Sequence, residues 1–289
     1  MVSMLVGLGA GPAAAEPAVR LPVVASFSIL ADLTRNIGGD RIEIRALVGP
    51  DGDAHVYQPT PADTKALRDA RLVVVNGLGF EGWIDRLVKT SKASAPVVVA
   101  TKGVSARKGE DAHGGTDPHA WQSISNAKIY VVNIRDGLVA ADPDAAETYR
   151  ANADAYLAKL AALEAEVAAA VATIPAERRK IITTHDAFGY FGAAYGLDFI
   201  APEGVETEAE PSARDVARII RQIVALKIPA IFMENITNPR TIRRIAAESG
   251  ARVGGTLFSD ALSPPDGPAP TYLDMMRHNA KELAGALAP

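Results

Sequence analysis

The chain has 289 residues, 48% of them hydrophobic and 22% charged, with a formal net charge of −4. That length can bury a large core as one domain or two, and the acidic balance offers no basic footprint for nucleic acid. There is no cysteine, which excludes disulfides, thiolate metal ligands, a cysteine nucleophile and a lipidated cysteine.

The run "MLVGLGAGPAAAEP" is apolar and closes on Ala13-Ala14-Ala15 before Glu16. It has the character of a secretory signal's apolar region and small-residue cleavage site, without the basic start, and is too short to span a bilayer. Residues 1–15 are therefore expected to be a signal-peptide remnant outside the fold, on a soluble, exported protein.

From Leu21 strand-like and helix-like segments alternate. "LPVVASFS", "RIEIRALVG", "RLVVVNGLG" and "APVVVATKG" are β-branched runs, and "ILADLTRNIGG", "TPADTKALRDA" and "EGWIDRLVKTS" between them have helical character. This rhythm predicts a largely parallel sheet flanked by helices. It breaks at Asp142, where Asp as N-cap and Pro143 at the first helical position predict a helix running to Thr173. Its stripe of Tyr149, Tyr156, Leu160, Leu163, Val167 and Val171 marks one buried face, and Pro175 ends it. About thirty residues would make a rod of roughly 45–50 Å. After it, "KIITT", "LDFIA", "PAIFMEN" and "RVGGTLFSD" read as strands between helical stretches, and "TYLDMMRHNAKELAGAL" as a closing helix. The expected organisation is an α/β lobe over 16–141, a long linking helix over 142–174 and a second α/β lobe over 175–289.

Four potential ligands stand near strand-to-loop junctions. His55 follows "RIEIRALVG" in the turn-rich "GPDGDAHVYQPTPAD"; His119 lies in "TDPHAWQS" ahead of a helix; His185 follows "KIITT"; Asp260 follows "GGTLFS". Ligands of open α/β sheets bind outside the carboxyl ends of the strands, so a cleft between two lobes could gather all four. Three imidazoles and one carboxylate suit a tetrahedral ion, and nitrogen-rich ligation suits zinc, copper or nickel, whereas manganese and magnesium prefer oxygen. The gaps between the four are far too long for a zinc finger, so the site must be preformed by the fold.

Two rivals compete for these stretches. "GLGFEG" has the G-x-G-x-x-G form after a strand, but the acid expected about twenty residues on to hold a ribose is absent from "VVVATKGVS"; the glycines read as a tight turn. His119, His185-Asp186 and Asp260 fit the order of HD-type phosphohydrolases, whose site lies on helices, whereas His185 follows a strand-like run. The chain has no HExxH, G-x-S-x-G or G-x-x-x-x-G-K-[ST].

"GPDGDAHVYQPTPAD", "NGLGFEGWIDRL", "DPHAWQSISNA", "THDAFGYFGAAYGL", "EPSARDVARII", "IFMENITN" and "LFSDALS", in this order, resemble the zinc/manganese solute-binding proteins of bacterial ABC importers. The resemblance implies two Rossmann-like α/β lobes joined by one long rigid helix, with a metal site in the inter-lobe cleft. Its ligands fall on His55, His119, His185 and Asp260. Manganese-type members carry Glu where this chain has His185, so the resemblance implies Zn2+, one per chain, as the transported ligand. It further implies a periplasmic, non-enzymatic, monomeric protein, and the missing cysteine leads to the expectation of no lipid anchor. The implied partners are a separate ABC permease and its ATPase, with a periplasmic zinc chaperone as a further one.

A manganese-binding member is the nearest alternative. A zinc hydrolase would need an open fourth position, with Asp260 behind a ligand; Asp117 and Asp186 are the other acids placed to orient histidines. The loop "ARKGEDAHGGTDPH" is short and holds only His113, expected in solvent. His278 is expected to be structural or at the surface. "SPPDGPAP", residues 263–270, reads as a stiff loop near the cleft mouth.

Overall fold

The computed structural model describes residues 20–109, 115–208 and 211–288; the expected signal remnant and His113 lie outside them. The first sheet is parallel, in the order β2-β1-β3-β4. Its strands are β1 (Leu21–Phe27), β2 (Ile42–Val48), β3 (Leu72–Val75) and β4 (Val97–Val99), connected through α1 (Ser28–Gly38), α2 (Pro61–Asp69) and α3 (Ile84–Ser91). A short antiparallel hairpin, β5 (Arg107–Lys108) with β6 (Thr116–Asp117), then leads through a 3-10 turn at Ala120–Gln122 into α4 (Ile124–Ala141).

The long helix α5 runs over Ala146–Ala172, 27 residues, or about 40 Å. Its apolar stripe is buried as the spacing predicts: Tyr149, Tyr156, Leu160, Leu163, Val167 and Val171 all lie in the main core. At about 1.5–3 kcal/mol for each large apolar side chain fully buried, this face accounts for the helix's place between the halves. It packs on α1 and α4 from the first half and on the closing helix α9 (Tyr272–Leu287) from the second. The start differs from expectation. Pro143–Ala145 form a 3-10 turn, and Asp142 makes no side-chain cap. Its carboxylate instead accepts the Tyr149 hydroxyl at 2.8 Å and meets Arg41 at 3.4 Å, so the acid is drawn into a tertiary contact and α5 begins a turn later.

The second sheet comprises β7 (Lys180–Ile182), β8 (Asp198–Ile200), β9 (Ala230–Glu234) and β10 (Arg252–Leu257), again all parallel, in the order β10-β9-β7-β8. Helices α6 (Gly189–Tyr195), α7 (Ala213–Leu226) and α8 (Arg240–Ser249) connect them. The architecture is two parallel α/β layers held by one long helix, with the carboxyl ends of the strands turned to a shared cleft. Residues 263–270 close on themselves, Ser263 N–H donating to the Ala269 carbonyl at 2.9 Å.

Candidate metal centre

His55 sits on a turn seven residues beyond β2, and its neighbours explain why an imidazole is held steady there. Its backbone N–H donates to Asp53 Oδ1 at 2.9 Å, Trp83 Nε1 donates to the Ala54 carbonyl at 2.7 Å, and the Tyr57 hydroxyl donates to Asp63 at 2.7 Å. Asp63 also accepts the Thr60 N–H at 2.8 Å, fixing the entry to α2. The "GLGFEG" stretch is a turn, as expected. Gly77 has φ +86°, and a Cβ there would lie 2.5 Å from Val99. The turn sets Phe80 edge-on to His55, with ring centroids 4.7 Å apart.

His119 follows β6. Asp117 Oδ1 accepts both its backbone N–H, at 3.0 Å, and its Nδ1, at 2.9 Å. The segment after His119 is tied to the one before Asp260, since Trp121 Nε1 and Gln122 Nε2 both donate to the Ser259 carbonyl, at 2.8 and 2.6 Å. His185 and Asp260 stand three residues beyond β7 and β10. Glu234, at the end of β9, accepts the N–H groups of Thr184 and His185 at 2.7 and 2.9 Å through Oε1, while its Oε2 lies 2.6 Å from His185 Nδ1.

With Nδ1 of each ring turned to a carboxylate, Nε2 is left to face inward, and all three Nε2 atoms meet at Asp260. His55 Nε2 and His185 Nε2 lie 3.2 and 3.1 Å from Asp260 Oδ2, and His119 Nε2 lies 3.6 Å from Oδ1. His55 Nε2 and His119 Nε2 are 3.2 Å apart. A tetrahedral ion with bonds near 2.0–2.1 Å needs ligand-to-ligand edges of about 3.3 Å, which these separations bracket. The four side chains have no solvent exposure. Neither Asp260 oxygen, nor His185 Nε2, receives a hydrogen bond, so buried lone pairs converge on one point, an arrangement that a cation satisfies.

Electrostatics agree with that reading. Burial works to lower the His119 pKa, but the nearby Asp260 charge and the hydrogen bond to Asp117 override it and push it up to about 9. His185 is likewise carried well above the ordinary histidine value, against its burial, by the charges of Glu234 and Asp260. His55 is raised against its burial by the neighbouring carboxylates of Asp260 and Glu206. Burial would raise Asp260, yet His185 and His119 hold it well below the usual carboxylate range. The pocket is built to hold positive charge.

The structure thus brings His55, His119, His185 and Asp260 together, their donor atoms within 4.8 Å of one another, and among the described residues this is the one such group. Asp117 braces a histidine as expected. The carboxylate on His185 Nδ1, however, is Glu234 and not the adjacent Asp186, because the strand end of β9 reaches the ring. Glu206, whose Oε2 lies 3.1 Å from His55 Nδ1, was not anticipated either. His278 is structural: its Nε2 lies 3.0 Å from the Thr256 carbonyl and its ring packs on Phe258.

Two α/β lobes around a buried cluster of three histidines and one aspartate define a metal-binding protein of the two-lobed kind, with its site between the lobes. The family described as "Zinc-uptake complex component A periplasmic" matches residues 23–286, and the chain belongs to it. The chain is similar to the manganese-binding lipoprotein MntA of Halalkalibacterium halodurans, at 37% identity over 100% of this chain and 96% of that one. Among solved structures, it is similar to the periplasmic zinc-binding protein TroA of Treponema pallidum. Identity is 30%, coverage is 94% of this chain and 100% of that one, and the TM-score is 0.89. The Mn-bound periplasmic metal-binding protein of candidatus Liberibacter asiaticus matches at 31% identity and TM-score 0.85, over 93% of this chain and 100% of that one.

The protein is accordingly the periplasmic metal-binding component of an ABC importer, working with a permease and an ATPase, and it is not an enzyme. No described helix is long and apolar enough to cross a membrane. The expectation of no lipid anchor rests on the missing cysteine alone, and it gains no support from MntA, which is named a lipoprotein.

Proposed function

We propose that His55, His119, His185 and Asp260 are the ligands of one transported divalent metal ion, and that manganese is the ion delivered. The convergence of three Nε2 atoms on the buried Asp260 carboxylate carries the ligand assignment. For the metal, two signals pull apart. Three nitrogens and one oxygen favour zinc, and the Irving–Williams order makes zinc bind more tightly than manganese to almost any such site. Cargo, however, follows availability and geometry more than raw affinity. The names of MntA and of the Liberibacter protein support manganese over the zinc that the third imidazole suggested. Zinc is the second reading, favoured by His185 and by the likeness to TroA. A zinc chaperone as partner belongs only to that reading, and a monomer is proposed on either.

Metal analysis of protein isolated from its own periplasm, beside competition titration of metal-free protein, tests this. Manganese in the isolated protein, with zinc the tighter ligand in the titration, is expected; zinc without manganese in the isolated protein would install the second reading. Saturating metal at a hundred times its dissociation constant adds about 2.7 kcal/mol of stability. An unchanged melting temperature with both ions would remove the site altogether. His185→Glu should move the measured preference toward manganese.

A further inference from the structure

Each of the three histidines backs onto a carboxylate, but the three carboxylates are not placed alike. Asp117 is two residues from His119 in the same loop. Glu234 and His185 belong to the same lobe, and both side chains are wholly buried. Glu206 lies 151 residues from His55, on the opposite lobe, and its side chain is 57% exposed. The contact is doubled by the next residue: the Thr207 hydroxyl donates to Asp53 Oδ2 at 2.6 Å, while Asp53 Oδ1 holds the His55 backbone N–H at 2.9 Å. The loop that carries them is anchored to its own lobe at Thr184 and Asp186. Glu203 N–H donates to the Thr184 carbonyl at 3.3 Å, and Asp186 N–H donates to the Gly204 carbonyl at 3.1 Å.

We propose that Glu206 and Thr207 form an inter-lobe latch that closes the His55 side of the centre over the bound metal and sets how fast the metal leaves. The inference rests on the metal-carrier reading. Separating the lobes breaks both latch contacts and leaves the Asp117 and Glu234 braces intact, because those lie within one lobe. The latch is also the part of the outer shell that water reaches. Glu206 and Thr207 are positioning residues: neither faces the point where the Nε2 atoms meet. Carboxylates behind metal-binding histidines change affinity by about 10–100-fold when removed. Exposure screens Glu206, so the lower end applies.

The test is stopped-flow release of Zn2+ and of Mn2+ to a chelator from wild type, Glu206→Gln, Thr207→Val and the double variant, with small-angle scattering of the metal-loaded forms. Faster release, about tenfold for Glu206→Gln and severalfold for Thr207→Val, with association rates unchanged and a more open loaded form, is expected. Thr207→Val separates a latch from simple ligand tuning, since Thr207 touches no histidine. Release from Thr207→Val at the wild-type rate would overturn the latch, as would unchanged release and scattering in the double variant. Wild-type protein that binds neither metal would instead refute the carrier reading, and that failure is visible before any variant is made.

Discussion

The two sides of the metal centre are built differently. On the His185 side, ring and backbone are both engaged by Glu234, two residues separate the histidine from its strand, and ring and carboxylate are wholly buried. On the His55 side, the histidine rides a proline-rich turn, its backbone leans on Asp53, and its outer carboxylate arrives from the other lobe. One side is complete within its own lobe; the other is complete only when the lobes meet. A carrier that must both hold and surrender an ion needs such an inequality, because loops on a rigid scaffold can move while buried strand ends cannot.

The largest effect expected is that of Asp260→Ala, which removes the carboxylate that all three inward nitrogens face. Stripping one partner from a buried charged group costs about 3–5 kcal/mol, so affinity should fall by roughly a thousandfold in isothermal titration. A loss below tenfold would show that Asp260 is not a ligand. Next comes pH. In the metal-free protein His119 holds its proton up to about pH 9, the charge of Asp260 and the bond to Asp117 outweighing burial, and His55 and His185 are raised in the same direction. Metal must displace these protons, so affinity should decline as pH falls from about 9, and not merely below the ordinary histidine value of about 6.5. The expected slope is about tenfold per pH unit for each proton displaced. A flat titration between pH 9 and 7 would contradict the raised values.

The within-lobe brace should matter less than a ligand and more than the exposed one. Glu234→Gln keeps the shape of the side chain but removes the charge behind His185, and a drop in affinity of about 10–100-fold is expected. The melting temperature of the metal-free protein should fall as well, since the Gln amide NH2 would replace the Oε2 that faces His185 Nδ1 at 2.6 Å. If Glu234→Gln matched Glu206→Gln in both readouts, the difference between the two sides would be without energetic content.

Much of this was legible in the sequence for local reasons. The strands and helices follow period and punctuation. Of the four proposed ligands, His185 and Asp260 lie three residues beyond strands of the second sheet, where an α/β sheet places its chemistry. His55 lies seven beyond β2, whereas His119 follows the β5–β6 hairpin. Asp117 could be read because its partner is two residues away. Glu234 left a fainter trace, a charge closing the apolar run "PAIFMEN", and the strand-end rule that picked out Asp260 applies to it equally. Glu206 left none: its contact spans the cleft, and no periodicity encodes the approach of two lobes. The start of α5 differs from the sequence expectation because Asp142 is claimed by the Tyr149 hydroxyl seven residues on and by Arg41 from a distant segment, contacts that outweigh its cap preference.

A further effect concerns the metal-free protein's own stability. His119 gains its proton affinity on folding, so its contribution is fully present below about 6.5, its unfolded value, and is lost as pH rises through about 9, its folded value. On the order of 1–3 kcal/mol should therefore vanish between pH 7 and 10, beyond whatever the rest of the protein shows. The metal-loaded protein supplies the control. Its Nε2 atoms are engaged by the ion and hold no proton to lose, so its melting temperature should fall less over the same interval. Equal losses in the two forms would place the pH sensitivity outside the centre. A larger loss in the metal-free form would mean that a proton stands in for the metal there, keeping the buried Asp260 paired until the ion arrives.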